Sequence, residues 1–251
     1  MSLSLAELVR LLPPPAPVAP ALPTGIAVLD AVLLGGGIPR GRLTEIAGPA
    51  GSGKTTLVRA LVEETITDRS WVAYIDAQRT LDPRDWVHLG DERGVWIVRP
   101  REAARAAWCA DILLRSAAFA LVVLDGASML GKSTAVRLTR LARESNAAFV
   151  VLGERGAATQ LGGAVRLLAE RRPNGRIGVR VEKGGTLKTV EVQCAVPVAR
   201  RLCAHPEVPD RRGVARGPAG GLRHGRRGRA AQPPTHSAER PIVIECGGAL
   251  G

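Results

Sequence analysis

Residues 48–56, GPAGSGKTT, constrain the fold of this chain more than any other stretch of the sequence. They fit the pattern G-x-x-x-x-G-K-[ST], with an apolar run, LTEIA, before them and a helix-forming run, LVRALVEETI, after them. The glycines let successive backbone N–H groups point inward, and the helix that begins here presents its positive end. The pattern therefore predicts a phosphate-binding loop between a buried strand and a helix.

A nucleotide site of this kind also needs side chains for the outer phosphates and for a metal ion. Lys54 is expected to reach the outer phosphates and Thr55 to bind Mg²⁺. Asp125, at the end of the apolar run ALVVLDG, is the carboxylate expected to hold the metal from a neighbouring strand. The predicted cofactors are ATP and Mg²⁺, and the predicted nucleotide-binding residues are Gly48, Pro49, Ala50, Gly51, Ser52, Gly53, Lys54, Thr55 and Thr56.

Between residues 24 and 203, short apolar runs alternate with helical segments, which favours an α/β fold with a mostly parallel sheet flanked by helices. Strands are predicted at LTEIAG, WVAYID, VWIVRP, ALVVLDG, AFVVLG and VRLLAE. Helices are predicted at KTTLVRALVEETI, after Pro83, at EAARAAWCADILLRSAA and at STAVRLTRLARESN. RIGVRVEKGGTLKTVEVQC predicts a C-terminal β-hairpin around its Gly-Gly pair.

The two ends of the chain differ from this pattern and are predicted to be separate segments. Residues 1–23 begin with a capping box, Ser4 and Glu7, which predicts an amphipathic helix followed by a proline-rich linker. That helix could fold back on its own domain or dock on a partner. Residues 204–251 are rich in Arg, Gly and Pro, which predicts a disordered basic tail. Within it, RPIVIEC could be a docking peptide or an added edge strand.

The formal net charge of +12 favours a polyanionic partner, although a solvated arginine-rich surface explains it equally well. The tail carries arginines without an intervening acid, and no aromatic residue lies among them to stack on bases. Non-specific, salt-sensitive DNA binding is predicted there, with a solubilising role as the alternative. The arginines concerned are Arg211, Arg212, Arg216, Arg223, Arg226, Arg227 and Arg229.

Cysteine spacing and hydropathy predict a cytoplasmic protein, nucleoid-associated when it is bound to DNA. The four cysteines form no C-x-x-C pair, so neither a zinc site nor a disulfide framework is indicated and reduced thiols are expected. The apolar runs are shorter than the ~20 residues that cross a bilayer, and no secretory signal is recognisable at the N-terminus. No membrane association is expected.

Residues 24–57 resemble the segment that leads into the ATPase core of the RecA/Rad51 recombinases, TGIAVLDAVLLGGGIPRGRLTEIAGPAGSGKTTL. AYIDAQRTLDP is similar to that family's stretch around its catalytic glutamate, and LVVLDG to its metal-binding strand. The resemblance extends from about Thr24 to Pro197. It implies a RecA-like P-loop core that binds ATP.

The resemblance also implies a changed catalytic position. Gln78 aligns with the glutamate that polarises the attacking water, and an amide can position water but cannot accept its proton. Loss of a general base typically costs about 10²–10⁴ in rate, although some GTPases use a glutamine at this step. Weak or absent hydrolysis is expected, unless Glu45, Asp76 or Glu154 takes over the role.

Both DNA-binding loops of the recombinases are short here, which makes strand exchange by this chain unexpected. ASMLGKSTAVRLTRLARESN, after LVVLDG, leaves room for little beyond a turn and one helix, and the second loop is reduced to RGAATQL. Glu154 lies near the position of a phosphate-sensing glutamine in that family. Its negative charge would repel a γ-phosphate.

A short core, a changed catalytic position and a basic tail resemble the ImuA group of RecA-like accessory proteins. That resemblance implies a role in damage-induced (SOS) mutagenesis and translesion synthesis. The implied partners are RecA, an ImuB-like Y-family polymerase homologue and an error-prone replicative-type DNA polymerase, and self-association is a further possibility. The alternatives are a DNA-dependent ATPase of the recombinase, RadA or KaiC type, and a basic DNA-binding protein with a vestigial nucleotide site.

Overall fold

The computed structural model describes residues 21–82, 86, 89, 94–126, 130–156 and 161–193, and the backbone of 242–246. Four helices and eleven strands lie in this part of the chain. In chain order they are β1 (Ala21–Leu22), α1 (Ala27–Asp30), β2 (Ile38–Pro39), β3 (Leu43–Ala47), α2 (Lys54–Thr67), β4 (Trp71–Asp76), β5 (Val95–Pro100), α3 (Ala106–Arg115), β6 (Phe119–Asp125), α4 (Lys132–Ser145), β7 (Ala148–Gly153), β8 (Val165–Arg171), β9 (Ile177–Lys183), β10 (Thr189–Val192) and β11 (Ile242–Cys246).

Nine of these strands form one mixed, mostly parallel sheet in the order β10-β9-β8-β3-β7-β6-β4-β5-β11. Seven adjacent strands are parallel to one another: β8, β3, β7, β6, β4, β5 and β11. Strands β9 and β10 extend the sheet beyond β8 as an antiparallel hairpin. The predicted α/β class is confirmed. All six predicted strands form, and the predicted C-terminal hairpin is present as β9 and β10.

Helices cover the central strands on both faces, which explains why these strands are apolar on both sides. Strands β3 and β7 are buried at every residue. The side chains of one sheet face pack with Leu57, Val58 and Leu61 of α2. The other face packs against Leu114 of α3 and Leu138 of α4. An alternating polar pattern is absent from such strands because neither face meets water.

The helix predicted at residues 102–118 is shorter in the structure, and this prediction was wrong at both ends. Ala103–Arg105 form a 3₁₀ turn, and α3 itself begins at Ala106 and ends at Arg115. Ala117 has a φ of 52°, in the left-handed region, which stops the helix and allows β6 to begin two residues later.

The predictions for the flanking segments have different outcomes. Ala21 and Leu22, inside the predicted linker, pair with Ile38 and Pro39 as a two-stranded sheet. Ile242–Cys246 pair in parallel with β5, so RPIVIEC adopts the edge-strand alternative. The predicted N-terminal helix and the seven tail arginines lie outside the described residues. So does the segment after Pro83, apart from the buried Trp86 and Leu89.

Within the described residues, no helix combines the length and the apolar character needed to cross a membrane.

Candidate nucleotide-binding site

The carboxyl ends of four neighbouring parallel strands meet at one edge of the sheet, and the candidate site lies there. Ala47 of β3 pairs with Gly153 of β7, and Asp125 of β6 pairs with Leu152 of β7 and with Asp76 of β4. The glycine-rich loop after β3 therefore lies on the same edge as Glu154, Asp125 and Gln78. Open α/β sheets bind their ligands at this edge.

Two glycines of the loop adopt backbone conformations that other residues avoid. Gly51 has a φ of 72° and Gly53 a φ of 97°. A Cβ atom on Gly53 would lie 2.4 Å from Cδ1 of Ile177 at the start of β9. The Ser52 backbone N–H donates to the Pro49 carbonyl at 3.2 Å, which closes the loop on itself. Glycine at position 53 thus permits both the turn and the close approach of the hairpin.

The polar groups of the loop fit a phosphate ligand. The Ser52 side chain is almost completely buried, and its Oγ has no hydrogen-bond partner among the described residues. Lys54 Nζ donates to the backbone carbonyls of Gly48 and Pro49, at 2.8 and 2.9 Å. These two bonds hold the lysine ammonium group against the loop. Phosphate oxygens could accept a hydrogen bond from the unpartnered Ser52 hydroxyl. They would also be attracted by the Lys54 ammonium group and by the positive end of the helix that begins at this residue.

Burial shifts the pKa of both charged groups in the site. Removal from water lowers the pKa of Lys54, and the negative charges of Asp125 and Glu154 oppose that shift. Burial raises the pKa of Asp125 and the charge of Asp76 adds to the shift, whereas the hydrogen bond from Tyr74 and the charge of Lys54 act against it. A cation bound beside Asp125 would favour the ionised carboxylate and so oppose the effect of burial on its pKa.

Tyr74, the single tyrosine of the chain, is hydrogen-bonded to one of the two predicted metal ligands. Its hydroxyl donates to Oδ2 of Asp125 at 2.9 Å, and the Thr55 side chain lies close enough to the phenol to affect its pKa. Burial raises the pKa of Tyr74 well above its usual value, and the neighbouring Asp125 adds to the effect. Sequence reasoning missed this residue. The one available sign was a hydroxyl group within an apolar run, two residues before β4 ends at Asp76.

Two of the alternative carboxylates named from the sequence are engaged in structural bonds. Glu45 accepts from the Gly163 N–H at 2.5 Å and from Arg166 Nε at 2.9 Å, which joins β3 to β8. Asp76 accepts from two backbone N–H groups at 3.0 and 3.2 Å and from Arg99 Nε at 3.0 Å. Both side chains are completely buried. Neither is free to take a proton from a water molecule.

Gln78 and Glu154 are both exposed at the sheet edge. Gln78 lies in the turn that follows β4, where the Arg79 N–H donates to the Asp76 carbonyl at 3.4 Å. Glu154 directly follows β7 and is close enough to Lys54 for its charge to affect the pKa of that lysine. Of the four acidic or amide groups considered for water activation, these two remain available.

The fold and the loop together define a RecA-like α/β core with a P-loop. Residues 14–138 match the family model of the RecA N-terminal domain. That match includes the loop, Tyr74, Gln78 and Asp125, and it ends before Glu154 and the hairpin.

Curated relatives agree with this placement. The RecA protein of Frankia casuarinae is 40% identical over 115 residues, which are 45% of this chain and 33% of that protein. The RecA protein of Nitratidesulfovibrio vulgaris is 43% identical over 112 residues, 44% of this chain and 31% of that protein. The RecA protein of Solidesulfovibrio magneticus is 37% identical over 151 residues, 60% of this chain and 38% of that protein. The chain thus spans about a third of the length of these relatives.

Proposed function

We propose that this chain is a RecA-like, ATP-binding accessory protein of the DNA damage response. It acts in translesion synthesis and mutagenesis, modulates RecA-mediated recombination, and hydrolyses ATP weakly or not at all. The similarity to RecA proteins supports the recombination and repair context. The resemblance to the ImuA group supports the accessory role and its partners: RecA, an ImuB-like polymerase homologue and an error-prone polymerase.

The observation that carries this proposal is that the groups suited to phosphate and Mg²⁺ are present, whereas the amide of Gln78 stands where a carboxylate is expected. The loop offers a buried Ser52 hydroxyl and the Lys54 ammonium group, and Thr55 and Asp125 would hold Mg²⁺. Bound Mg²⁺ would neutralise charge on the phosphates. Gln78 occupies the position at which a proton acceptor is expected, and an amide cannot accept that proton. Such a site retains nucleotide without turning it over efficiently.

The short connections at the sheet edge support an accessory role over strand exchange. Strand β6 ends at Asp125 and α4 begins at Lys132, so little chain is available for a DNA-binding loop there. Contact with DNA is assigned instead to the basic tail, through phosphate neutralisation.

The proposal is tested by nucleotide binding and steady-state phosphate release from the purified full chain, with and without single-stranded DNA. The wild type should bind a fluorescent ATP analogue, release phosphate at the background rate, and show no stimulation by DNA. Lys54→Ala should lose binding because it removes the ammonium group from the loop. Lys188→Ala is the matched control. This exposed lysine lies at the turn end of the β9–β10 hairpin, whereas Ile177, which packs near the loop, lies at the other end. DNA-stimulated release that Lys54→Ala abolishes would contradict the proposal.

Glu154 favours a second candidate, a DNA-dependent ATPase related to recombination. It is the exposed carboxylate nearest in sequence to the end of β7, and its charge acts on Lys54. If Glu154 activates water in place of Gln78, the wild type turns over ATP and Glu154→Gln abolishes that turnover. If Glu154 only repels the γ-phosphate, Glu154→Gln tightens binding of ATP relative to ADP.

A further inference from the structure

Three side chains from three different elements lie close together beside the glycine-rich loop. Thr55 belongs to the first turn of α2, Tyr74 to β4 and Asp125 to the end of β6. The phenol of Tyr74 donates to Oδ2 of Asp125 at 2.9 Å, and the Thr55 side chain lies close enough to the phenol to affect its pKa. The proposed nucleotide site uses Thr55 and Asp125 for Mg²⁺. It assigns no part to Tyr74.

The position of the Tyr74 hydroxyl is fixed by its surroundings. The side chain has 0% relative exposure, and its ring packs on Trp86 with the centroids 5.5 Å apart and the planes inclined at 59°. A buried ring wedged in this way has no alternative rotamer to enter without displacing its neighbours. The hydroxyl therefore holds the Asp125 carboxylate in a set orientation.

The direction of this hydrogen bond matters for metal binding. A phenol carries one proton, and here that proton goes to Oδ2 of Asp125. The Asp125 carboxylate is oriented by the same phenol and keeps Oδ1 for a metal-bound water.

We propose that Tyr74 is a positioning residue that sets the Mg²⁺ affinity of the nucleotide site by orienting Asp125. This inference rests on the proposed nucleotide binding. Groups that orient metal ligands typically alter metal affinity by about 10- to 100-fold when they are removed. Phenylalanine would fill the same space and leave the Asp125 carboxylate without that partner.

The test uses the full chain with Tyr74→Phe and a fluorescent ADP analogue, titrated with Mg²⁺ and, separately, in EDTA. The Mg²⁺ concentration for half-maximal tight binding should rise about 10-fold or more in Tyr74→Phe. Binding in EDTA should stay close to the wild-type level because the phosphate loop is intact.

Thr65→Val serves as the matched control for loss of a buried hydroxyl. Thr65 lies in the same helix as Thr55, is 3% exposed, and donates to the Leu61 carbonyl at 2.6 Å, remote from the loop. It should lower the thermal midpoint without moving the Mg²⁺ dependence. A purely structural role for Tyr74 would give the same pattern in Tyr74→Phe and would overturn the inference.

A second measurement uses Asp125→Asn as a background. If Tyr74 acts through Asp125, Tyr74→Phe should add much less to the Mg²⁺ requirement there than it does in the wild type. Full additivity of the two substitutions would overturn the inference. Nucleotide binding with an unchanged Mg²⁺ dependence in Tyr74→Phe would overturn it alone, whereas no nucleotide binding by the wild type would overturn the proposed function as well.

Discussion

Gln78 and its surroundings illustrate how neighbouring carboxylates become unavailable for chemistry. Asp76 is two residues away, yet both of its oxygens are committed to backbone N–H groups and to Arg99. These bonds hold the turn that presents Gln78 at the sheet edge. The same residue that positions Gln78 is therefore prevented from replacing it.

Gln78→Glu should restore a proton acceptor at that turn. A general base typically contributes about 10²–10⁴ in rate, so phosphate release should rise by a factor in that range if the remaining site is competent. The measurement is steady-state phosphate release at saturating ATP, with Gln78→Ala as the control that removes the amide without adding a carboxylate. Unchanged release in Gln78→Glu, together with normal ATP binding, would show that the site is limited elsewhere.

Site residues that belong to a local sequence motif could be predicted. Residues whose role depends on a hydrogen-bond partner far away in the sequence could not. Lys54 and Thr55 lie within a continuous motif, and Asp125 follows a run of apolar residues. Glu45 is bonded to Arg166, and Tyr74 to Asp125, across long stretches of sequence. No local pattern reveals such pairs, because it is the order of the strands in the sheet that brings them together.

At the scale of elements, the strands and the helices α2 and α4 were predicted to within about a residue at each end, and the helix between β5 and β6 was not. A buried parallel strand is marked by an unbroken apolar run, and β4, β5 and β7 begin and end where those runs do. The helix between β5 and β6 was predicted too long, because alanine-rich flanks suit a helix and a single left-handed residue, Ala117, ends it. The edge position of β11 depended on an open edge of β5, which the sequence does not display.

The basic tail is the segment to which DNA binding is assigned. Replacing its seven arginines with glutamine should abolish salt-sensitive binding of single-stranded DNA while leaving β11 in the chain. If all seven contact phosphates, log K for the wild type should fall with log[salt] at a slope of about −5. Binding is measured by fluorescence anisotropy at several salt concentrations.

Replacing the same arginines with lysine is the matched control for that experiment, because it keeps the charge and should largely preserve the slope. Binding that survives the glutamine replacement would assign DNA contact to another part of the chain.

At the scale of the whole molecule, the proposed nucleotide site joins several elements. The loop connects β3 to α2, and Ile177 of β9 packs where a side chain on Gly53 would lie. Asp125 and Tyr74 add β6 and β4 to the same assembly. A ligand that binds here stabilises the folded state as a whole, because the unfolded chain has no such site.

Mg²⁺ and ATP at about 100 times the dissociation constant should therefore stabilise the protein by about 2.7 kcal/mol. For a domain of this size that corresponds to a rise of roughly 5–10 °C in the thermal midpoint. Differential scanning fluorimetry measures the shift. Lys54→Ala should lose the shift and Lys188→Ala should keep it. An equal shift in both variants would indicate nucleotide binding away from the loop.

The sequence by itself determined the class of fold and the glycine-rich loop between β3 and α2, because both depend on local patterns of apolar residues and glycines. The tertiary structure decided which polar groups serve chemistry and which hold the sheet together. Glu45, Asp76 and Glu154 are the same kind of residue in the sequence, yet two are buried in structural bonds and one is exposed beside Lys54. That difference arises from strand order and burial, which bring together residues more than a hundred positions apart, such as Glu45 and Arg166.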